Sequence, residues 1–273
     1  MTVQRTAFDD LADESAELDS IVAALPDEDW ARDTPAAGWT IAHQIAHLAW
    51  TDEMVLLSTA GDAAFAAVRA SARKRPTEFV DIAAAQGAST PPAGLLGRWR
   101  DGRRAVETAL RQVPKGGRLP WFGPPMSALS MATARLMETW AHGQDVRDTL
   151  GLAPADTDRL RNVAHLAYRT RDFSFQLRGK EPPAADIFLD LTAPLEHGSW
   201  QWGDPQSGQR VSGPALDFCL LATQRRHRSD TRVSATGQDA EEWLSVIQAF
   251  AGPAGAGREP GSVPSRGVQR PTG

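Results

Sequence analysis

The sequence predicts an α+β protein, with a bundle of four main helices followed by a smaller domain that mixes helices and strands. Three observations point there. Apolar residues recur at helical spacing through the first part of the chain. The stretches 186–194 and 198–204 then alternate apolar with polar, as half-buried strands do. The length is 273 residues, 41% of them hydrophobic and 23% charged, which suits two buried cores better than one. The expected division is a helical domain over 1–155, an α+β domain over 156–252, and a disordered tail over 253–273 that carries no apolar anchors.

The elements follow in order. Phe8, Leu11, Leu18, Ile21, Val22 and Leu25 outline a first helix, which PDEDW ends. Pro35 and Gly38 make a turn, after which Ile41, Ile45, Leu48 and Leu56 form the apolar stripe of a second helix closed by Gly61. Short Ala-rich helices are expected over 62–73 and 77–85, and a long one after the proline start at 91–92. The stretch 114–125, PKGGRLPWFGPP, is a loop held by Pro and Gly. A helix resumes over 127–150 and stops at Gly151 and Pro154. In the second domain the pattern predicts one helix over 156–179 capped by Asp156 or Thr157, then strands around 186–194 and 198–204. A helix over 213–228 with Pro near its start and an amphipathic helix over 239–252 with an acidic first turn complete it.

Composition excludes several functions. A net charge of −5 argues against a protein built around a nucleic-acid backbone or an anionic membrane. No apolar run approaches the roughly 20 residues that span a bilayer, and the acidic N-terminal stretch lacks a signal-peptide core, so a cytoplasmic protein is expected. The single cysteine, Cys219, rules out an internal disulfide and multi-cysteine metal sites; in DFCLLA it reads as inert core. The basic run 225–228, without interleaved aromatics, reads as a solvated helix end. His165, His197 and His227 have no partners at ligand spacing. The expected partner is a small-molecule substrate, with neither nucleic acid nor a membrane.

Two segments carry chemistry. In METWAHGQDV, Glu138, His142 and Asp145 stand at i, i+4 and i+7, so a helix projects all three from one face. A carboxylate and an imidazole one turn apart can bind one cation, and Asp145 is placed to accept the other ring N–H of His142. The same spacing also describes a solvated Glu–His surface pair. In GWTIAHQIAHLAW, His43 and His47 are one turn apart within apolar neighbours, which suits either hydrogen-bonded core histidines or metal ligands. Two helices bearing such side chains in one all-helical domain favour a site built inside a bundle.

These motifs resemble the DinB-like metal-binding bundles, specifically the mycothiol-dependent maleylpyruvate isomerase family. GWTIAHQIAHL matches the family's first motif with His47 at its histidine position, and Glu138, His142 and Asp145 match its E-x-x-x-H-x-x-D motif. The resemblance implies a divalent ion, zinc foremost, held by His47, Glu138 and His142, with His43 a neighbour. It continues into a C-terminal domain of the sterol-carrier-like kind, where an apolar helix leads to an arginine important for activity. ALDFCLLATQRR places Arg225 nearest that position, with Arg226 beside it. It further implies mycothiol as a thiol cofactor: its thiolate adds to a conjugated double bond, the single bond so formed rotates, and elimination gives the other isomer. Family members use the thiol on other electrophiles too, so isomerase and thiol transferase both fit the resemblance.

Two further readings stand beside this one. One is a thiol-independent metal enzyme performing hydrolysis or ring formation in a biosynthetic pathway; the other is a non-catalytic protein that holds a metal or an apolar ligand. A closed four-ligand site including His43 would favour the latter.

Overall fold

In the computed structural model the described residues are 5–76, 78–196 and 198–262. The chain divides into two compact units at Gly143–Gln144, earlier than the step after residue 155 read from the sequence. Among the described residues it contains ten α-helices and one four-stranded sheet, the α+β class expected. No helix of the described residues is long and apolar enough to cross a membrane.

The first unit is helical. Helix α1 (Ala7–Val22) starts from a capping box in which Thr6 and Asp9 exchange hydrogen bonds. Helix α2 (Ile41–Thr59) follows a loop pinned by the Thr34 and Trp39 backbones. The short helices α3 (Asp62–Lys74) and α4 (Phe79–Ala88) lead to α5 (Pro92–Gln112), whose first residue is the proline that suits a helix start. Helix α6 (Ala128–Leu150) begins in the first unit and ends in the second. Helices α1, α2, α5 and the first part of α6 are the four main helices. Ile41, Ile45, Leu48 and Val55 of α2 are fully buried, as are Leu95 of α5 and Met131 and Leu136 of α6. Of the stripe read from the sequence, Ile41, Ile45 and Leu48 lie on the core face of α2, while Leu56 is half-buried and Val55 takes the core position beside it. Gly87 of α4 lies so close to α2 that a Cβ there would sit 2.8 Å from the Ala46 Cβ, which fixes how near the two helices run.

In the second unit, the helix expected over 156–179 is two, α7 (Leu160–Arg169) and α8 (Arg171–Gln176). Between them Thr170 leaves helical geometry (φ −100°, ψ 15°) and its hydroxyl folds back onto the Leu166 carbonyl, a side-chain bond that competes with the helix. Neither expected cap is used: Thr157 Oγ1 is buried without a partner, and α7 is entered by a backbone turn from the Thr157 carbonyl to Leu160 N. Strands β1 (Phe188–Thr192) and β2 (Ser199–Trp202) lie where alternation placed them and pair antiparallel, Leu189 opposite Trp202.

Strand β3 (Arg210–Pro214) was not anticipated. It pairs parallel with β1, Leu189 opposite Val211, and runs straight into α9 (Ala215–Ala222), so the helix expected over 213–228 is preceded by a strand and stops six residues early. The three-residue β4 (Ser234–Thr236) completes the order β2-β1-β3-β4. Helix α10 (Gln238–Val246) ends where Ile247 turns extended, short of the expected 252. Cys219 is fully buried, and burial pushes its thiol well above the ordinary range, in keeping with an inert core residue.

Residues 253–262 correct the tail expectation. Gly255 N donates to Gln248, Arg178 donates to the Gly255 carbonyl, and Arg258, half-buried, pairs with Asp145 and Asp148. Polar anchoring of this kind leaves no trace in hydropathy. Residues 263–273, the rest of that expected tail, and His197 lie outside the described residues.

Candidate metal centre

The site in the first unit begins at the start of α2. Thr40 precedes the helix, and His43 turns its Nδ1 back to the Thr40 hydroxyl (2.8 Å) and backbone N–H (3.3 Å), serving as a cap. One turn on, His47 is buried. From α6, Glu138 and His142 present a carboxylate and an imidazole one turn apart, as their spacing requires. The two helices bring all three together. His47 Nε2 lies 3.3 Å and His142 Nε2 3.2 Å from the same oxygen, Glu138 Oε2, and the donor atoms of the three residues fall within 4.8 Å of one another. His43 is outside this group.

Several contacts hold the arrangement. Arg135, one turn before Glu138, is buried against Asp52 of α2 (3.1 Å) and donates to the Leu48 carbonyl (3.2 Å), tying α6 to α2 beside the ligands. Burial pushes the Asp52 carboxyl up, partly offset by Arg135. At Glu138 burial also acts upward, but the neighbouring imidazoles of His142 and His47 outweigh it and hold the carboxyl well below its usual range. The group is therefore an anion at neutral pH. Trp39 stacks on His142 (5.8 Å, 16° between planes) and tilts over His47 (5.4 Å), its own N–H bound to Asp81 of α4. Trp50 also approaches His47 (5.9 Å) and begins an aromatic cluster with Phe79 and Phe122. The loop aromatics Trp121 and Phe122, 5.2 Å apart, thus join the wall that starts at His47.

The donor set fits a metal. A tetrahedral ion bound at about 2.0–2.1 Å by nitrogen and oxygen has ligand atoms about 3.3 Å apart, the spacing of the two histidine nitrogens from Glu138 here. That spacing is long for charge-assisted hydrogen bonds, which run at about 2.7–2.9 Å.

The sequence reading of Asp145 is corrected. The ring nitrogen of His142 that it was expected to meet, Nδ1, faces Gln44 Oε1 at 2.5 Å. Asp145 is instead held by Arg225 (2.8 Å) and Arg258. Gln44 was missed; it stands three residues before His47 and is buried, but α2 also buries Thr51, Asp52 and Ser58, so its polarity alone did not mark it. Trp39 and Arg135 were also missed, since neither carries a spacing signal.

In the second unit Arg225 follows the C-terminus of α9, where Gln224 adopts a left-handed conformation (φ 59°). Its terminal nitrogens donate to Asp145 and to the Thr223 carbonyl (2.7 Å). Arg226 is buried in a bidentate pair with Asp148, both bonds 2.8 Å. Both arginines are thus seated in an ion network of two aspartates and three arginines.

Fold and site together define a class: an α+β protein whose helical bundle gathers two histidines and a glutamate with their donor atoms within 4.8 Å of one another, close enough to hold one ion. Comparison with known proteins gives the lineage. The model of the mycothiol maleylpyruvate isomerase N-terminal domain matches residues 11–147. Uncharacterized proteins from two strains of Mycobacterium tuberculosis are 52% identical over 249 residues, covering 91% of this chain and 96% of theirs. Crystal structures of the mycothiol-dependent maleylpyruvate isomerase and of its histidine-to-alanine variant share the fold, with TM-scores of 0.55 and 0.54 at 17% identity over 84% of this chain and 91% of theirs. The chain belongs to the mycothiol maleylpyruvate isomerase family.

Proposed function

We propose that the chain is a metal-dependent enzyme that activates a thiol against a small electrophilic or unsaturated acid, as the name of its structural relative, mycothiol-dependent maleylpyruvate isomerase, suggests. The observation that carries this is the convergence of His47 Nε2 and His142 Nε2 on Glu138 Oε2 at the separations of ligands around one ion. A divalent ion such as zinc, held by these three, would supply Lewis acidity in a fourth, open position, where a coordinated thiol is deprotonated at neutral pH. Glu138 contributes the single negative charge of the set, and Trp39 and Trp50 screen the two imidazoles from water. Mycothiol is the proposed thiol, and Arg225 the proposed partner of the substrate's carboxylate, both on family grounds.

Metal analysis of the purified protein tests the reading. About one zinc per chain is expected, lost in His47→Ala, Glu138→Ala and His142→Ala and kept in His43→Ala. Full retention in His142→Ala overturns the ligand assignment. With metal established, a panel of α,β-unsaturated acids is assayed with and without mycothiol. Turnover that needs the metal and ignores the thiol moves the protein to hydrolytic or cyclising chemistry.

A further inference from the structure

The buried polar chain behind His142 has a definite direction. Thr34 Oγ1 lies 2.7 Å from the Trp39 carbonyl, which can only accept, so the hydroxyl donates there and turns its lone pairs outward. Gln44, fully buried, approaches that hydroxyl at 2.8 Å. The group facing it must then be the amide NH2, which leaves Oε1 facing His142 Nδ1 at 2.5 Å. An amide oxygen accepts only, so Nδ1 carries the proton. The other ring nitrogen, Nε2, 3.2 Å from Glu138 Oε2, is then the one left to offer its lone pair to an ion. The loop that starts the chain is itself fixed: Thr34 N donates to the Trp39 carbonyl (2.8 Å), and Asp33 bridges Thr40.

We infer that Gln44, oriented by Thr34, is a positioning residue that sets the tautomer and ring angle of His142 for metal binding. The inference rests on the metal reading for its consequence but not for its geometry. Among the described residues of the first unit, His142 is the partner of the Gln44 oxygen: without it a fully buried acceptor would be left unmade, which costs about 1–3 kcal/mol. His47 has no equivalent, its Nδ1 being buried without a partner. The network therefore acts on one of the two imidazoles.

Three variants and two measurements decide the matter. Gln44→Leu removes the acceptor, Gln44→Glu keeps it, and Thr34→Val removes the group that holds the amide in its present orientation. Zinc affinity, read by competition with a chelator, should fall about 10–100-fold in Gln44→Leu and recover to within severalfold in Gln44→Glu, the usual scale for partners of metal-bound histidines. Long-range 15N–1H spectra of the metal-free protein at about pH 8.5, where imidazoles are neutral, should show His142 protonated at Nδ1 in the parent and largely at Nε2 in Gln44→Leu. The His142 signals are assigned by their absence in His142→Ala. Should Gln44→Leu fail to fold, Thr34→Val carries the same two readouts, with a partial shift of each. An unchanged tautomer together with an affinity within about twofold of the parent overturns the inference. If the parent binds no zinc, the metal reading fails, while the tautomer measurement still decides the role of Gln44.

Discussion

His43 and His47 are the same side chain one turn apart on α2, and their neighbours give them different tasks. His43 spends its Nδ1 on the Thr40 hydroxyl and N–H at the helix start, whereas His47 is carried inward to Glu138. His43→Ala should therefore cost about 1 kcal/mol, the scale of a lost helix cap, in a denaturant titration, with zinc content unchanged. Loss of zinc from that variant would mean that the cap and the site are not separable. Trp39 joins the loop to the site, since its ring lies on His142 while its N–H is held by Asp81 at 2.9 Å.

Two close approaches set the site at the level of elements. Helices α2 and α4 meet where Gly87 faces Ala46, the residue before His47. Gly87→Val forces those backbones apart, and overpacking of this kind costs about 1–3 kcal/mol. The same displacement carries Asp81 away from Trp39, so chemical denaturation and Trp39 fluorescence should both change. Helices α2 and α6 are tied by the buried Arg135–Asp52 pair. Arg135→Met leaves Asp52 buried and unpaired, a loss of about 3–5 kcal/mol by thermal or denaturant unfolding. A variant as stable as the parent would show that the pair contributes little.

Across the whole chain, carboxylates held by arginine set the acid limit of stability. In the first unit the Arg100 hydrogen bond lowers the Asp19 pKa, aided by Arg103. In the second, burial pushes Asp148 up but Arg226 and Arg258 outweigh it and lower it. A depressed folded pKa gives stability that is complete above the unfolded value, 3.8, and is lost as pH falls through the folded one. Melting temperature should thus hold steady from neutral pH to about 4 and drop steeply below, and Asp19→Asn should flatten that drop while lowering the plateau. A chain ended after residue 252 lacks Arg258 and leaves Asp145 and Asp148 one cation short. It should melt earlier, by a free energy of about 3 kcal/mol, and an unchanged melt would return 253–262 to the status of a tail.

Period and spacing carried a good deal of this molecule in the sequence. The stripe Ile41, Ile45, Leu48 placed α2, alternation placed β1 and β2, and the one-turn spacing of Glu138 and His142 put both on one face of α6. These are local signals, because backbone geometry alone decides which side chains share a face. Strand β3 was illegible because only Val211 is buried among Gly, Pro and polar residues, and its place comes from pairing with β1, 22 residues earlier at Phe188↔Arg210. The choice of Gln44 over Asp145 as partner of His142, the seating of Arg225 on Asp145 and the anchoring of 253–262 by Arg258 share that character. Each joins residues far apart in sequence through a hydrogen bond or ion pair, and such bonds depend on where folding puts two groups, not on any pattern either leaves in its own segment.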